Sequence, residues 1–122
     1  FADDNQKDFY GTVLKANLLG IEKSLVGNTL NDVDDSVLNS LEQSRYSEFV
    51  VHKTGHGLGL DVHEDPYVMR GNEEKLEEGM VITIEPGLYN PKSLGVRIED
   101  DVHITLGVPE ILTSFTKNLT II

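Results

Sequence analysis

Three of the four histidines of the chain lie within a short segment, between His52 and His63. His52 and His56 are four residues apart, as in helical zinc sites, but no glutamate follows His52. Glycines flank His56 on both sides, which disfavours a helix. They predict instead a backbone that packs tightly against something, such as a metal or a substrate. The alternative is a surface loop in which the histidines are incidental.

Two further clusters contain carboxylates. Glu85 ends a β-prone run, Val81 to Glu85, directly before a Pro-Gly pair, and such a strand end is placed at a sheet rim, where sites often form. Glu99 lies in an alternating run, Gly95 to Thr105, and shares a strand face with Arg97. Taken alone, each carboxylate is better explained as a solvated surface group.

Taken together, the three clusters offer one imidazole and two carboxylates, with more histidines nearby. Such a ligand set suits Mn²⁺, Co²⁺, Zn²⁺ or Fe²⁺, and its carboxylates favour Mn²⁺. Two carboxylates that bridge a pair of ions would make a hydrolase in which the ions share a hydroxide nucleophile.

Two helices precede these clusters in the sequence. Apolar residues recur at helical period from Asn5 to Val26, which predicts a helix that covers a sheet. A second helix is predicted from Asp32 or Asp34 to Arg45, with Asn31 or Asp32 as its cap.

The rest of the chain has β character. The predicted strands are Phe49 to Val51, Val81 to Glu85, Gly95 to Thr105 and a returning strand from Glu110 to Thr113. Two helices followed by several strands indicate an α+β fold with an antiparallel sheet.

Composition excludes several classes of partner and site. The chain has 122 residues and a formal net charge of -11, which argues against nucleic acid and anionic membranes as partners. It has no cysteine, so disulfides and thiolate metal sites are excluded and a cytoplasmic location is compatible. It begins at Phe1 without an initiator methionine or a signal peptide, and we expect it to start within a longer protein.

In their order and spacing, three segments resemble the Xaa-Pro dipeptidases (prolidases) and Xaa-Pro aminopeptidases, which are metallopeptidases of the pita-bread fold. They are His52–Glu64 (HKTGHGLGLDVHE), Ile84–Tyr89 (IEPGLY) and Gly95–Asp101 (GVRIEDD). The resemblance covers essentially the whole chain. It implies that residues 1–122 form the C-terminal half of the catalytic domain, with two helices on a curved antiparallel sheet. The N-terminal domain and the first half of the catalytic domain would precede it.

The resemblance also implies roles for individual residues. His56 and Glu85 would bind one metal ion, and Glu85 would also act as general base. Glu99 would bridge two ions, of which Mn²⁺ is the favoured species. His52 and His63 would bind substrate and stabilise the tetrahedral intermediate.

Further residues would complete the substrate pocket. Arg97 would orient Glu99 or bind substrate, and Tyr89 would form a pocket wall. The substrate implied is a small peptide with proline at its second position, from which the residue before proline is removed.

The family requires two more aspartate ligands, which we expect upstream of Phe1. The chain alone is therefore expected to be inactive and to bind Mn²⁺ weakly. Half of a sheet would expose strand edges and apolar faces, so the fragment is expected to self-associate. The parent protein is expected to be a homo-oligomer.

Two rival interpretations stay open. Methionine aminopeptidases share the fold and similar motifs, but His52 and the Arg97–Asp101 segment favour the Xaa-Pro branch. A metal-free pita-bread binding module is the second, and it would have lost the ligands that remain here: His56, Glu85 and Glu99. Within the Xaa-Pro branch, dipeptidase and aminopeptidase both stay open.

Overall fold

The computed structural model describes residues 1–51 and 53–122, and two helices lead the chain. Helix α1 spans Asp4–Lys23 and α2 spans Leu30–Glu42, so both predicted helices are confirmed. The predicted cap of α2 was wrong, because Thr29 is the cap. Its hydroxyl accepts a hydrogen bond from the Asp32 amide at 3.0 Å, and the Asp32 carboxylate accepts one from the Thr29 amide at 2.8 Å. Leu30, which is fully buried, thereby joins the helix and the core.

Within the described part of the chain, seven short strands follow the helices and pair only antiparallel. Five of them form one sheet in the order β2-β1-β3-β6-β7. Their bounds are Gly55–Gly57 for β1, Glu64–Val68 for β2, Val81–Ile84 for β3, Asp100–His103 for β6 and Glu110–Ile111 for β7. The other two, β4 (Gly87–Tyr89) and β5 (Gly95–Arg97), form a separate two-stranded sheet. The expected α+β fold with an antiparallel sheet is confirmed.

Two of the predicted strands differ from the structure. Phe49 ends a short 3-10 helix, Ser47–Phe49, and Val50 makes only an isolated bridge to Leu88. The Phe49 ring lies 6.4 Å from that of Phe9 on α1, so its apolar character serves packing against a helix. The long predicted strand from Gly95 to Thr105 divides into β5 and β6, which belong to different sheets. The predicted return strand is confirmed as β7.

The helices cover one face of the main sheet. Two apolar clusters fill the space between them. One contains Ile21, Leu30, Val33, Val68, Leu76, Ile82, Ile84, Val102 and Ile104, and the other contains Phe9, Val13, Ala16, Val37, Leu41, Leu88 and Ile98. Because side chains alternate along a strand, burial of Ile82 and Ile84 directs Thr83 and Glu85 to the other face. Within the described ranges, neither helix is long and apolar enough to cross a membrane.

Candidate metal centre

The pairing of β1 with β3 brings the first two predicted ligands together. His56 lies in β1 and Glu85 directly follows β3, and these strands are neighbours in the sheet. The His56 Nε2 atom lies 2.9 Å from Glu85 Oε1. Both groups are largely removed from solvent, with side chains 6% and 17% exposed. Water therefore screens the electrostatic interactions of these two side chains only weakly.

The hydrogen bonds of His56 show what this pair requires. Its Nδ1 atom lies 2.8 Å from the carbonyl oxygen of Gly57, which can only accept, so Nδ1 must hold a proton. In the neutral ring, Nε2 then presents a lone pair to the carboxylate oxygen of Glu85. Two acceptors at 2.9 Å need a cation, either a proton on Nε2 or a metal ion bound to both. The donor chemistry of the pair therefore fits a divalent metal.

Glu99 lies near this pair on the far side of a guanidinium group. Arg97 Nε is 3.7 Å from Glu99 Oε2 and 3.9 Å from Glu85 Oε2, so one cation stands between two carboxylates. Partial burial, followed by the negative charge of Glu85, raises the pKa of Glu99, and Arg97 opposes this. Additional positive charge would relieve this repulsion, as a metal ion does.

The remaining predicted site residues are distributed around this region. The His63 ring lies edge-on to that of His56, with centroids 4.4 Å apart, so His63 borders the pair. The Tyr89 ring lies over Gly87 and Gly95 of the two-stranded sheet. His52 lies outside the described residues. Over residues 1–51 and 53–122, no three histidine, aspartate or glutamate side chains are arranged to hold a metal ion.

The glycines of the histidine segment do lie against other groups, as predicted, but those groups belong to the protein. A Cβ atom on Gly55 would collide with the backbone carbonyl of Thr83 in β3. One on Gly57 would collide with the carbonyl of Asp65 in β2, and one on Gly59 with the Glu64 carboxylate. The predicted tight packing of this backbone is therefore confirmed, and the groups it packs against belong to the neighbouring strands. The glycines let three strands approach closely, which sets the position of His56.

Thr83 joins the two predicted ligands, and it was not among the site residues predicted from the sequence. Its side chain is fully buried. The hydroxyl accepts a hydrogen bond from the His56 amide at 3.0 Å and donates one to Glu85 Oε1 at 2.8 Å. The two-residue spacing of Thr83 and Glu85 on one strand face was the signal that could have identified it.

A buried carboxylate of α2 supports the same region. Asp34 is fully buried, and its Oδ1 atom accepts hydrogen bonds from the Thr54 hydroxyl at 2.6 Å and the Thr54 amide at 3.2 Å. Thr54 precedes β1, and its carbonyl accepts a hydrogen bond from the Glu85 amide at 2.7 Å. Among the described residues, Asp34 Oδ2 has no hydrogen-bond partner. Asp34 therefore fixes Thr54 at the cost of desolvating a charge.

This buried charge predicts a pH-dependent loss of stability. Burial raises the pKa of Asp34, and hydrogen bonds from Thr54 oppose the change only in part. Because the folded state then holds the proton longer, the contribution of Asp34 to the free energy of unfolding falls as pH rises above about 4. In Asp34→Asn this component disappears. The free energy of unfolding of the variant minus that of the original chain should therefore increase from about pH 3.5 to 7.

For each unit by which folding raises the pKa of Asp34, this difference in the free energy of unfolding should increase by about 1.4 kcal/mol. Urea titrations at several pH values would measure it. Asp61→Asn, at an exposed position, controls for the substitution itself. A difference between Asp34→Asn and the original chain that is constant with pH would contradict the prediction.

Known proteins share both the sequence and the fold of this chain. The sequence profile of metallopeptidase family M24 matches residues 1–106. An Xaa-Pro dipeptidase from Pyrococcus horikoshii is 43% identical over 117 residues, which cover 96% of this chain and 33% of that protein. A solved prolidase from Pyrococcus horikoshii superimposes with a TM-score of 0.94 at 42% identity, covering 98% of this chain and 35% of the other.

A solved Xaa-Pro dipeptidase from Bacillus anthracis gives a TM-score of 0.95 at 38% identity, covering 100% of this chain and 34% of the other. The chain thus spans about a third of the length of the curated relatives it matches.

Proposed function

Because the chain belongs to metallopeptidase family M24, we propose that it forms part of the catalytic domain of an Xaa-Pro peptidase. Its fold is the C-terminal half of the pita-bread fold of the prolidases that it matches. The reaction would be hydrolysis of the peptide bond between an N-terminal residue and proline. The observation that supports it best is the pair of acceptors, His56 Nε2 and Glu85 Oε1, held 2.9 Å apart.

The cofactor of the complete site would be two divalent ions. When bound, these ions would supply a shared hydroxide for attack on the scissile carbonyl. His56 and Glu85 would hold one ion and Glu99 would bridge both. Mn²⁺ is the ion we propose, because carboxylates dominate this ligand set and hard oxygen ligands suit it.

The side chains of this chain would manage protons and substrate. The Glu85 carboxylate, held by the Thr83 hydroxyl, would accept a proton from the nucleophile and return it to the leaving nitrogen. His63, at the edge of His56, and His52 would donate hydrogen bonds to the developing negative charge on the substrate. Arg97 would orient Glu99, and Tyr89 would line the pocket.

We propose that residues 1–122 are only part of this domain. Two aspartates from a segment outside the chain would complete the site, so the chain alone would be inactive and bind Mn²⁺ weakly. Calorimetry that finds two tight Mn²⁺ sites on the 122-residue chain would contradict this. Exposed apolar residues such as Leu60, Val108 and Phe115 would favour self-association, and a clean monomer in light scattering would count against it.

The activity is tested on the longer protein that we propose contains this chain. With Mn²⁺ it should hydrolyse Gly-Pro or longer Gly-Pro peptides, and the preference between these lengths separates dipeptidase from aminopeptidase. Preference for peptides that begin with methionine would indicate a methionine aminopeptidase instead. No bound metal and no hydrolysis would indicate a binding module. We propose a homo-oligomer in the cytoplasm that binds neither nucleic acid nor membranes, which sizing and cell fractionation would test.

A further inference from the structure

Asn17 is a buried polar residue in the middle of α1 that the proposed reaction does not use. Its side chain is fully buried, although asparagine is a poor helix former and the residues around it pack in the apolar core. A polar group in such a position needs hydrogen-bond partners. The partners of Asn17 are therefore informative about why an amide is placed there.

The Asn17 amide connects the two segments that carry the proposed carboxylate ligands. Its Nδ2 atom lies 3.2 Å from the carbonyl oxygen of Ile84 and 3.4 Å from that of Ile98. These residues directly precede Glu85 and Glu99. A third acceptor, Asp100 Oδ2, lies 3.0 Å away and directly follows Glu99.

Strand pairing joins these two segments on either side of the proposed carboxylate ligands. The β3–β6 ladder ends at the pair Ile84 and Asp100. The β4–β5 ladder begins in the same register at Gly87 and Arg97. Between the two ladders the Ile98 amide donates to the Pro86 carbonyl, while the Glu85 amide donates to the Thr54 carbonyl. Asn17 adds hydrogen bonds from α1 to both segments at this junction. Its amide thus ties to α1 the junction of the two ladders, which carries the proposed ligands.

A lysine near the C-terminus sets the orientation of this amide. Lys117 Nζ lies 3.3 Å from Asn17 Oδ1 and 2.9 Å from Asp100 Oδ2. Since the ammonium group can only donate, the amide oxygen must face it and Nδ2 must face the carbonyls. Thr113 donates to the other oxygen of Asp100 at 2.6 Å. The buried Asp100 carboxylate is thereby paired and fully hydrogen-bonded.

We propose that Asn17 is a positioning residue of the metal centre, which holds the Glu85 and Glu99 segments at the spacing required to share bound ions. Lys117 assists by orienting the amide. This inference rests on the proposed function. Outer groups that orient ligands typically change metal affinity by about ten- to hundredfold when they are removed.

The test uses Mn²⁺ alone as probe and the 122-residue chain, observed by NMR. Mn²⁺ broadens the amide signals of nearby residues, and this works even for weak binding. In the original chain, His56, Glu85 and Glu99 should broaden together. In Asn17→Leu, which keeps similar shape without the amide, the Mn²⁺ concentration for half broadening at Glu99 should rise by about tenfold or more. In the absence of metal, the chemical-shift changes caused by Asn17→Leu should be concentrated at residues 84–86 and 98–100.

Val13→Ala is the matched control, because Val13 is fully buried on the same helix and its apolar side chain makes none of the hydrogen bonds made by Asn17. It should lose stability without changing Mn²⁺ binding. Unchanged binding in a folded Asn17→Leu chain overturns the inference while the proposed function stands. If the original chain shows no preferential broadening at His56, Glu85 and Glu99, the proposed metal centre fails and the inference fails with it.

Lys117→Met provides a second variant should Asn17→Leu not fold, since the Lys117 side chain is 24% exposed. Loss of a positive charge by itself strengthens cation binding. Loss of the orientation of the Asn17 amide weakens it. The inference therefore predicts that Lys117→Met binds Mn²⁺ more weakly than the original chain and that Lys117→Arg restores the affinity. Stronger or unchanged binding in Lys117→Met would overturn the inference.

Discussion

Glu85→Gln in the longer protein is expected to lower kcat/KM for Gly-Pro by roughly a thousandfold, the range typical for loss of a general acid–base group. Glutamine keeps the size of the side chain but can neither accept a proton nor offer a charged oxygen to the ion held with His56. The Thr83 hydroxyl can still donate to the glutamine oxygen, so the local backbone should be preserved. Steady-state kinetics at saturating Mn²⁺ would measure the loss.

Glu73→Gln is a suitable control, because Glu73 is exposed and lies outside the site. It makes the same chemical change and should leave kcat/KM unaltered. Thermal unfolding of the metal-free proteins would show that Glu85→Gln remains folded. Activity within about tenfold of the original protein would remove Glu85 from the role of general base.

Gly55→Ala is expected to destabilise the chain by about 3 kcal/mol, at the upper end of what overpacking usually costs. The new Cβ would collide with the backbone carbonyl of Thr83, which cannot turn away as a flexible side chain could. Strand β1 would have to move from β3, and this would separate His56 from Glu85. Chemical denaturation of the 122-residue chain would measure the destabilisation.

Gly11→Ala makes the identical chemical change in an open position. Gly11 lies within α1, and a Cβ atom there would meet nothing within 4 Å. Because alanine is the better helix former, this variant should gain about 0.5–1 kcal/mol. The two alanine variants should therefore shift in opposite directions. A Gly55→Ala chain as stable as the original would show that the strands can separate without cost.

The sequence predicted best those features that depend on local periodicity. Both helices follow from apolar spacing, and Glu85 at the end of β3 follows from a β-prone run that meets a Pro-Gly pair. Alternation along the chain also predicted which side chains are buried. Ile98, Val102 and Ile104 are buried, whereas Arg97 and Glu99 are exposed.

Features that depend on distant partners could not be predicted in this way. Phe49 looked like part of a strand because its aromatic partner, Phe9, is 40 positions earlier. Asn17 showed no signal at all, since its acceptors are contributed by segments more than 60 residues away. The pairing of His56 with Glu85 was implied by resemblance, and the structure supplied its geometry.

The anchoring of α1 by the C-terminal segment has a consequence for the order of folding. The Tyr10 hydroxyl bonds to the Lys117 carbonyl across 107 positions, and Lys117 meets Asn17 across 100. Contacts of such long range require closure of almost the entire chain and form slowly. During synthesis, α1 and the sheet strands emerge from the ribosome before this lysine does. We therefore expect the anchoring of Asn17 by Lys117 to be among the last contacts within residues 1–122 to form.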